Sequence, residues 1–476
     1  MKKKVFITGA TGHMGGETLA RLLTREDLFD VVALVRPSAK NRKALEKYKD
    51  APLKLLWGDL TRYQDVLKGV TGADYVLHIG GMVSPAADRQ PDLAYKVNVT
   101  SARHLVDAIK AQPDPDKVKL VYIGSVAQTG DRNPPLHWGR CGDPINPAAM
   151  DAYALSKAEA ERIVAGSGLR HWVSLRQTGI LHPGLMSTLD PIIFHYPLNG
   201  ALEWITARES GVMLEHLCEY DLPEDFWRRF YNVGGGKSYR SVYWQFMQLC
   251  FGAMGVKDFR RMMDCRWFAL HNFHGQWFTD SDLLENTLHF RAGGSLEDYA
   301  REIRSQAPFY YRLAGVAPGA LLKRFLFKPL ASQKPLGPLY WKEADAGRLQ
   351  AAFGSAEQMD TIPSWKDFKL ERPSRNRTYL DHGYDESESP DHMDIGDMRR
   401  AALFRGGECL STSMEKGDMY TPLEWKCAFA HRFSASPALV LLGGHWCPEC
   451  TKAMHTDLAL RRQVANRSAF YSQVFR

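Results

Sequence analysis

Over the first half of the chain, apolar residues fall in short dense runs separated by longer amphipathic stretches. Val5-Phe6-Ile7-Thr8, Val31-Val32-Ala33-Leu34-Val35, Leu53-Lys54-Leu55-Leu56-Trp57 and Tyr75-Val76-Leu77-His78-Ile79 have strand length and are rich in β-branched and aromatic residues. Leu120-Val121-Tyr122-Ile123, Trp172-Val173-Ser174-Leu175 and Phe230-Tyr231-Asn232-Val233 continue the series, and the segments Ser101–Ala111 and Ala154–Val164 carry the helical period between them. Such alternation predicts an α/β fold, a doubly wound parallel Rossmann sheet with ligands at the carboxyl ends of its strands.

The ends of the runs carry the candidate chemistry. The first run leads into Thr8-Gly9-Ala10-Thr11-Gly12-His13-Met14-Gly15, followed by an amphipathic stretch with Leu19, Leu22 and Leu23. This reads as strand, tight turn and helix start. Glycines there let the backbone approach a pyrophosphate, whose charge a helix N-terminus stabilises. The spacing is Thr-Gly-x-x-Gly-x-x-Gly rather than Gly-x-Gly-x-x-Gly. After the second run stands Arg36, where a cofactor lacking a 2′-phosphate usually meets an acidic residue. A guanidinium can grip a phosphate with two hydrogen bonds, which favours NADP over NAD, although a solvated surface arginine is the plain alternative. Asp59 can accept from an adenine amine or cap the next helix. Ser125 ends the run Leu120–Ile123, and Tyr153 and Lys157 are four apart on one helical face. A free tyrosine, with a pKa of about 10, is a poor base at neutral pH, and a neighbouring cation favours its phenolate. In this reading Ser125 holds a substrate oxygen and Tyr153 moves its proton.

With Gly58-Asp59-Leu60, Val97-Asn98-Val99, Ser125, Tyr153-x-x-x-Lys157, Leu175-Arg176-x-x-Gly179-Ile180 and Tyr231-Asn232-Val233-Gly234-Gly235-Gly236, residues 1 to about 240 resemble the extended short-chain dehydrogenase/reductases, also called the NAD-dependent epimerase/dehydratase family. The resemblance implies catalytic roles for Ser125, Tyr153 and Lys157, with Asn98 as a helix-positioning, water-holding residue. It also implies a cofactor-binding set of Thr8, Gly9, Thr11, Gly12, His13, Met14, Gly15, Arg36, Asp59, Leu60 and Gly80, together with Tyr153 and Lys157. Val35-Arg36 and the segment His78–Ser84 look more like the branches acting on dihydroflavonols or 3β-hydroxysteroids than like sugar-nucleotide epimerases. Two departures are Gly80-Gly81, where the family often has Ala-Ala or Ala-Gly, and Gly124 before Ser125, where it often has serine.

Beyond this region the chain is less legible. Tyr243 to Phe290 is dense in aromatic residues and methionine, among them Trp244, Phe246, Met247, Phe251, Met262, Met263, Trp267, Phe268, Phe273, Trp277 and Phe278. They either line a pocket for a bulky apolar substrate or pack a helical subdomain, packing being the plainer reading. His271, His274 and His289 read as structural or surface residues. Leu321–Lys328 is basic and amphipathic, fit to touch a membrane surface but expected to dock on the main domain. With 45% hydrophobic and 24% charged residues, the composition excludes disordered and membrane classes. No run nears the roughly 18 apolar residues of a transmembrane helix, and the basic start Met1–Lys4 breaks too soon into glycines for a signal peptide. A net charge of +7, spread rather than massed, fits an anionic cofactor and does not call for nucleic acid. A cytoplasmic location is therefore expected.

Composition shifts again after about Pro335. The expected organisation is 1–335 for the cofactor-binding unit, with substrate-side elements at about 180–230 and 240–335. A linker or surface wrap follows at 336–395, and a small zinc-ribbon-like domain at 396–476. Trp446-Cys447-Pro448-Glu449-Cys450 has the look of a redox motif, but too little chain follows to build that fold. Cys427-x-x-x-His431 and Cys447-x-x-Cys450 instead form two pairs at zinc-ribbon separation, with donors that a tetrahedral Zn²⁺ prefers. The segment resembles zinc-ribbon-like modules reading Gly-Gly-x-Cys-Leu-Ser, Leu-x-Trp-x-Cys-x-x-Gly-His and Trp-Cys-Pro-x-Cys, with Ala430 in place of the glycine before His431. Cys409 rivals His431 as the fourth ligand of a closed, structural site.

The expected activity is NAD(P)-dependent interconversion of a ketone and a secondary alcohol, on a bulky apolar substrate. The alternatives are a nucleotide-sugar epimerase or dehydratase holding NAD tightly, and a non-catalytic dinucleotide sensor. The expected partners are a small-molecule substrate and, as one option, a second copy of the chain in a homodimer.

Overall fold

Every strand predicted in the first half forms and pairs in parallel in the computed structural model, which describes residues 2–186, 189–271, 273–306 and 315–475. Met1, part of the basic start, lies outside them. The strands are β1 (Lys3–Thr8), β2 (Phe29–Val35), β3 (Leu53–Trp57), β4 (Tyr75–His78), β5 (Lys119–Ser125), β6 (Trp172–Gln177) and β7 (Arg229–Val233). Their spatial order is β7-β6-β5-β4-β1-β2-β3. The order reverses between β1 and β4, and there a doubly wound sheet opens a crevice for ligands. Register brings the carboxyl ends into line, with Thr8 opposite His78 and Ser125 opposite Gln177.

The strand runs are nearly continuous in apolar residues because both faces are covered. Val5, Ile7, Val31 and Leu77 pack under α1 (His13–Thr24), while Phe6, Val32, Val76 and Leu120 pack under α2 (Tyr63–Val70) and α3 (Pro91–Lys110). Also on the second face lies α4 (Ala152–Ala165), which carries Tyr153 and Lys157, whereas α5 (Ala207–Glu219) joins α1 on the first.

Most of the aromatic-rich stretch is consumed by packing. Phe246, Met247, Phe251, Met262, Met263, Trp267 and Phe268 are buried in a separate helical core with Trp204 and Tyr299. Of the basic segment 321–328, Phe327 docks into that core and Phe325 is exposed. Residues 336–395, expected as a linker or wrap, begin with three helices, Pro338–Ala344, Ala346–Phe353 and Ala356–Thr361. Trp341, Leu349, Phe353 and Met359 hold these helices against Ala269. The remainder, to Ser389, crosses the surface without regular structure.

The C-terminal part builds an antiparallel sheet from β8 (Glu408–Cys409), β9 (Leu423–Lys426) and β10 (Arg432–Ala435). Its core is not its own. Trp425, Leu439, Leu441, Trp446 and Phe470 form one continuous apolar cluster with Tyr122, Val164, Trp172 and Phe230 of the Rossmann unit. Fully buried polar contacts stitch the seam. Arg176 pairs with Glu161 and donates to the Gly443 carbonyl at 2.6 Å. Asp143 accepts from Arg132 at 2.7 Å and from His382 at 2.9 Å.

Removing one partner of such a buried pair leaves an uncompensated charge. Arg176→Met should lower the unfolding free energy of the full chain by about 3–5 kcal/mol in urea titrations. A loss below about 1 kcal/mol, the scale of an exposed pair, would show that the pair does not hold the seam.

Candidate functional site

Backbone meets backbone at the switch point. Gly9 has φ +74°, and a Cβ there would stand 2.7 Å from the Gly80 nitrogen. A Cβ at Gly15 would stand 2.1 Å from the Gly9 carbonyl oxygen. The Gly80 N–H donates to Thr8 Oγ1 at 3.0 Å, and a side chain at Gly80 would also strike Leu60, which accounts for the departure from alanine. Gly12 is the N-cap of α1, with no side-chain cap and no acidic residue in the first turn. The N–H groups of that turn have no side chain competing for them, so the cradle fits a diphosphate.

The rim of the cradle is polar. Thr11 Oγ1 donates to Asn41 Oδ1 at 3.0 Å, and Asn41 in turn holds the Arg36 carbonyl at 2.8 Å. The Arg36 side chain is exposed. Asp59 Oδ1 accepts the N–H and hydroxyl of Thr61, so it closes its own turn rather than capping α2. Burial pushes its carboxyl up, but the Thr61 hydrogen bonds and the nearby Arg36 and Arg62 outweigh this and hold it below the usual range. Met14 is buried, and the His13 ring stacks on His182 with centroids 3.4 Å apart. Burial lowers the pKa of both imidazoles, His182 to about 4.

Tyr153 meets Ser125 at the end of β5, and Lys157, one turn further along α4, reaches the same strand. Burial pushes the Tyr153 phenol up to about 12, against a hydrogen bond with Ser125, while Asp151 adds to the rise. Lys157 Nζ donates to the Ile123 carbonyl at 2.5 Å. Burial brings this ammonium down to about 8, with Glu161 opposing the fall. The lysine ammonium is directed at the end of β5, and burial favours the neutral form of the Tyr153 phenol. Asn98 acts through the backbone. Its Oδ1 accepts from Met82 N–H at 2.7 Å, and its Nδ2 donates to the Met82 carbonyl and to Ser156 Oγ, which ties the β4 loop to α4.

A small cavity of about 40 Å³ adjoins the N-terminus of α4, lined by Asp88, Asp151, His195, Phe273, Trp341 and Arg348 among others. Asp151 caps α4 two residues before Tyr153. Asp88 Oδ2 and Asp151 Oδ2 are buried without hydrogen-bond partners. Burial, reinforced by Asp151, raises Asp88 to about 6. Ala149, Met150, Phe273, Leu336 and Trp341 supply an apolar lining in which these carboxyl oxygens are polar points, and Phe273 brings the aromatic stretch to the cavity.

In the C-terminal part the ligand atoms of Cys427, His431, Cys447 and Cys450 all lie within 4.8 Å of one another. His431 Nδ1 is 3.5, 3.5 and 3.4 Å from the three sulfurs, and Cys427 Sγ is 3.8 Å from Cys450 Sγ. A tetrahedral ion with bonds of about 2.3 Å to sulfur and 2.0 Å to nitrogen has edges of about 3.8 and 3.5 Å. Donor set and size both fit. Cys409 lies on β8 outside the cluster, so the structure gathers His431. Ala430, standing for glycine, takes that residue's left-handed conformation at φ +63°.

Motif reading missed the residues behind the site. Glu161 is fully buried and accepts from Gln128, Ser174, Arg176 and His445. The four-residue spacing that pairs Tyr153 with Lys157 extends to Glu161, and that was the available signal. Nothing in the sequence marked Gln128 or His445.

Residues 5–176 match the sequence model of the NAD dependent epimerase/dehydratase family. The 3 beta-hydroxysteroid dehydrogenase type 7 of Homo sapiens is 27% identical over 190 residues, 37% of this chain and 50% of that protein. The D-erythronate dehydrogenase of Cupriavidus necator is 27% identical over 180 residues, 36% of this chain and 52% of that protein. The chain thus spans about half the length of these curated relatives. Among solved structures, UDP-glucuronic acid 4-epimerase from Bacillus cereus superposes with a TM-score of 0.51 at 14% identity, covering 65% of this chain and 99% of that one. This likeness concerns the fold.

Proposed function

The N-terminal part of the chain belongs to the NAD-dependent epimerase/dehydratase family, and on that premise we propose that the protein is a nicotinamide-dependent oxidoreductase interconverting a ketone and a secondary alcohol. The observation that carries this reading is the meeting of Ser125 and Tyr153 at the end of β5, beside the glycine cradle. A bound nicotinamide dinucleotide supplies the hydride acceptor or donor. The chain's own residues handle the oxygen. Ser125 holds the substrate oxygen, and the neutral Tyr153 gives it a proton in the reductive direction. Lys157, one turn away, supplies positive charge as the phenolate forms.

Arg36 supports NADP as the preferred cofactor, because it stands exposed after β2 where a 2′-phosphate can be met by two hydrogen bonds. The Oδ2 atoms of Asp88 and Asp151, buried without hydrogen-bond partners in a largely apolar lining, favour a substrate that offers hydrogen-bond donors beside apolar surface. Among the described residues no helix is long and apolar enough to cross a membrane. All eight cysteines are unpaired, which suits a reducing cytoplasm. The C-terminal donor set is read as a closed structural Zn²⁺ site, since all four positions are protein side chains.

Tyr153→Phe should cut kcat by about 10²–10⁴-fold with cofactor affinity unchanged. The assay is nicotinamide absorbance against a panel of hydroxy and keto compounds. Turnover with no net absorbance change would move the assignment to an epimerase or dehydratase, and a parent that turns over nothing in the panel, with cellular function intact in Tyr153→Phe, would leave a dinucleotide sensor. Arg36→Ala should weaken NADP binding by about 10–100-fold, the worth of a charge-assisted contact, and leave NAD binding as it was. Equal effects on both cofactors would remove the NADP assignment. Full-length protein from zinc-replete growth should carry one equivalent of Zn²⁺ by elemental analysis, lost in Cys450→Ser. A folded parent chain without zinc refutes that site.

A further inference from the structure

The helix that carries Tyr153 and Lys157 presents a third residue on the same face. Glu161 lies four positions beyond Lys157 and is fully enclosed. Arg176 Nε and Nη2 reach its carboxylate at 3.0 and 2.8 Å, and Ser174 Oγ does so at 2.5 Å. Two further donors come from opposite directions in the chain. Gln128 Nε2 donates to Oε2 at 2.8 Å, and so does His445 Nε2 at 2.8 Å.

Gln128 passes the constraint on. Its Oε1 accepts the Ser125 N–H at 2.7 Å, and it closes the tight turn in which Ser125 Oγ accepts from Ala127 N–H. Three hydrogen bonds therefore lead from the C-terminal part to the active-site serine: His445 to Glu161, Gln128 to Glu161, and Ser125 to Gln128. Every side chain in this path is buried. Among the described residues His445 is the one donor to Glu161 that comes from outside the Rossmann unit.

The segment that delivers His445 is itself fixed. Gly444 has φ +72°, and a Cβ there would stand 2.0 Å from the Asp143 carbonyl oxygen, so only glycine permits this approach. Ile145 N–H donates to the Gly444 carbonyl, Arg176 to that of Gly443, and Arg162 to that of Trp446. Cys447, two residues after His445, enters the cysteine–histidine cluster. A metal there clamps the far end of the same segment.

We propose that His445 is a positioning residue for Ser125, acting through Glu161 and Gln128, and that metal binding by Cys427, His431, Cys447 and Cys450 holds it in place. The catalytic half of this proposal rests on the oxidoreductase reading of Ser125. The C-terminal part is then a component of the active site rather than an appendage. Loss of the His445 contact loosens the 125–128 turn and the serine with it, leaving the diphosphate cradle at the other strand ends untouched.

The test uses the full-length protein, as parent, His445→Leu, His445→Gln and Tyr153→Phe. Hydrogen exchange is followed by mass spectrometry over residues 123–129, alongside zinc content, NADPH affinity, kcat and KM. In His445→Leu, exchange over 123–129 should quicken by about 10-fold or more, the scale of a lost hydrogen bond to a charged group, and kcat should fall comparably. Zinc content and NADPH affinity should stay at parent values. His445→Gln, which keeps an N–H donor, should recover most of both effects. Chelating the parent's metal should quicken exchange in the same segment, and this arm decides the matter should the leucine variant not fold. Parent-like exchange after loss of the imidazole or the metal overturns the proposal. Parent-like kcat in His445→Leu beside an inactive Tyr153→Phe also overturns it and leaves the oxidoreductase reading intact. Full activity in Tyr153→Phe overturns the Tyr153–Ser125 proton relay, and with it the reading of Ser125 on which the kcat arm rests, while the exchange result still reports on the His445 path.

Discussion

The buried pair of Glu161 and Arg176 is the constraint on which the rest of the arrangement depends. Two charges withdrawn from water are costly unless their remaining hydrogen-bonding capacity is met. Here the carboxylate takes donors from β5's turn, from β6 and from the C-terminal segment, while the guanidinium spans the carboxylate and the Gly443 carbonyl and leaves only Nη1 without a hydrogen bond. The guanidinium also lies 5.2 Å from the centre of the Phe230 ring. Because the partners come from the turn after β5, from β6 and from the C-terminal segment, these hydrogen bonds fix those parts relative to one another. Specific geometry is what such a pair contributes, more than net stability.

A second buried polar path ties the strand ends of the switch point together. Thr8 Oγ1 meets His78 Nδ1 at 3.0 Å, and His78 Nε2 meets Ser101 Oγ at 3.2 Å. Burial, assisted by the Lys157 charge, holds His78 neutral, with its pKa brought down to about 3. β1, β4 and α3 are thereby locked behind the cradle by uncharged groups. The titrating groups stand on the substrate side, where Tyr153 and Lys157 have been moved to about 12 and about 8. Burial drives both shifts, so both residues are pressed toward their neutral forms. Their usefulness depends on what enters the crevice.

The sheet was legible because its runs are apolar on both faces and end in glycine, serine or a charged residue. The Ser125, Tyr153 and Lys157 set was legible from helical spacing and strand order. The cysteine–histidine cluster was legible from the spacing of its pairs, although spacing alone did not separate His431 from Cys409. Other features were hidden for physical reasons. Aromatic residues look alike whether they line a pocket or fill a core, and Trp267 and Phe268 fill one. The helices of 338–361 are short and mixed in polarity, so their periodicity is weak. The sharing of a core between Trp425 and Trp172 leaves no mark on either segment, because burial against a distant partner has no local pattern.

That shared core governs how this chain can be divided. A fragment ending at the close of the cofactor-binding unit would turn Trp172, Phe230 and the Glu161–Arg176 pair toward solvent along one flank of the sheet. The released C-terminal piece would carry the complementary raw surface on Trp425, Leu439 and Trp446. Each half would present the other with an adhesive face, so separate expression invites clumping or strand exchange where co-expression restores the fold. A polypeptide built from the Rossmann part alone therefore needs a different, water-tolerant flank on β6 and β7.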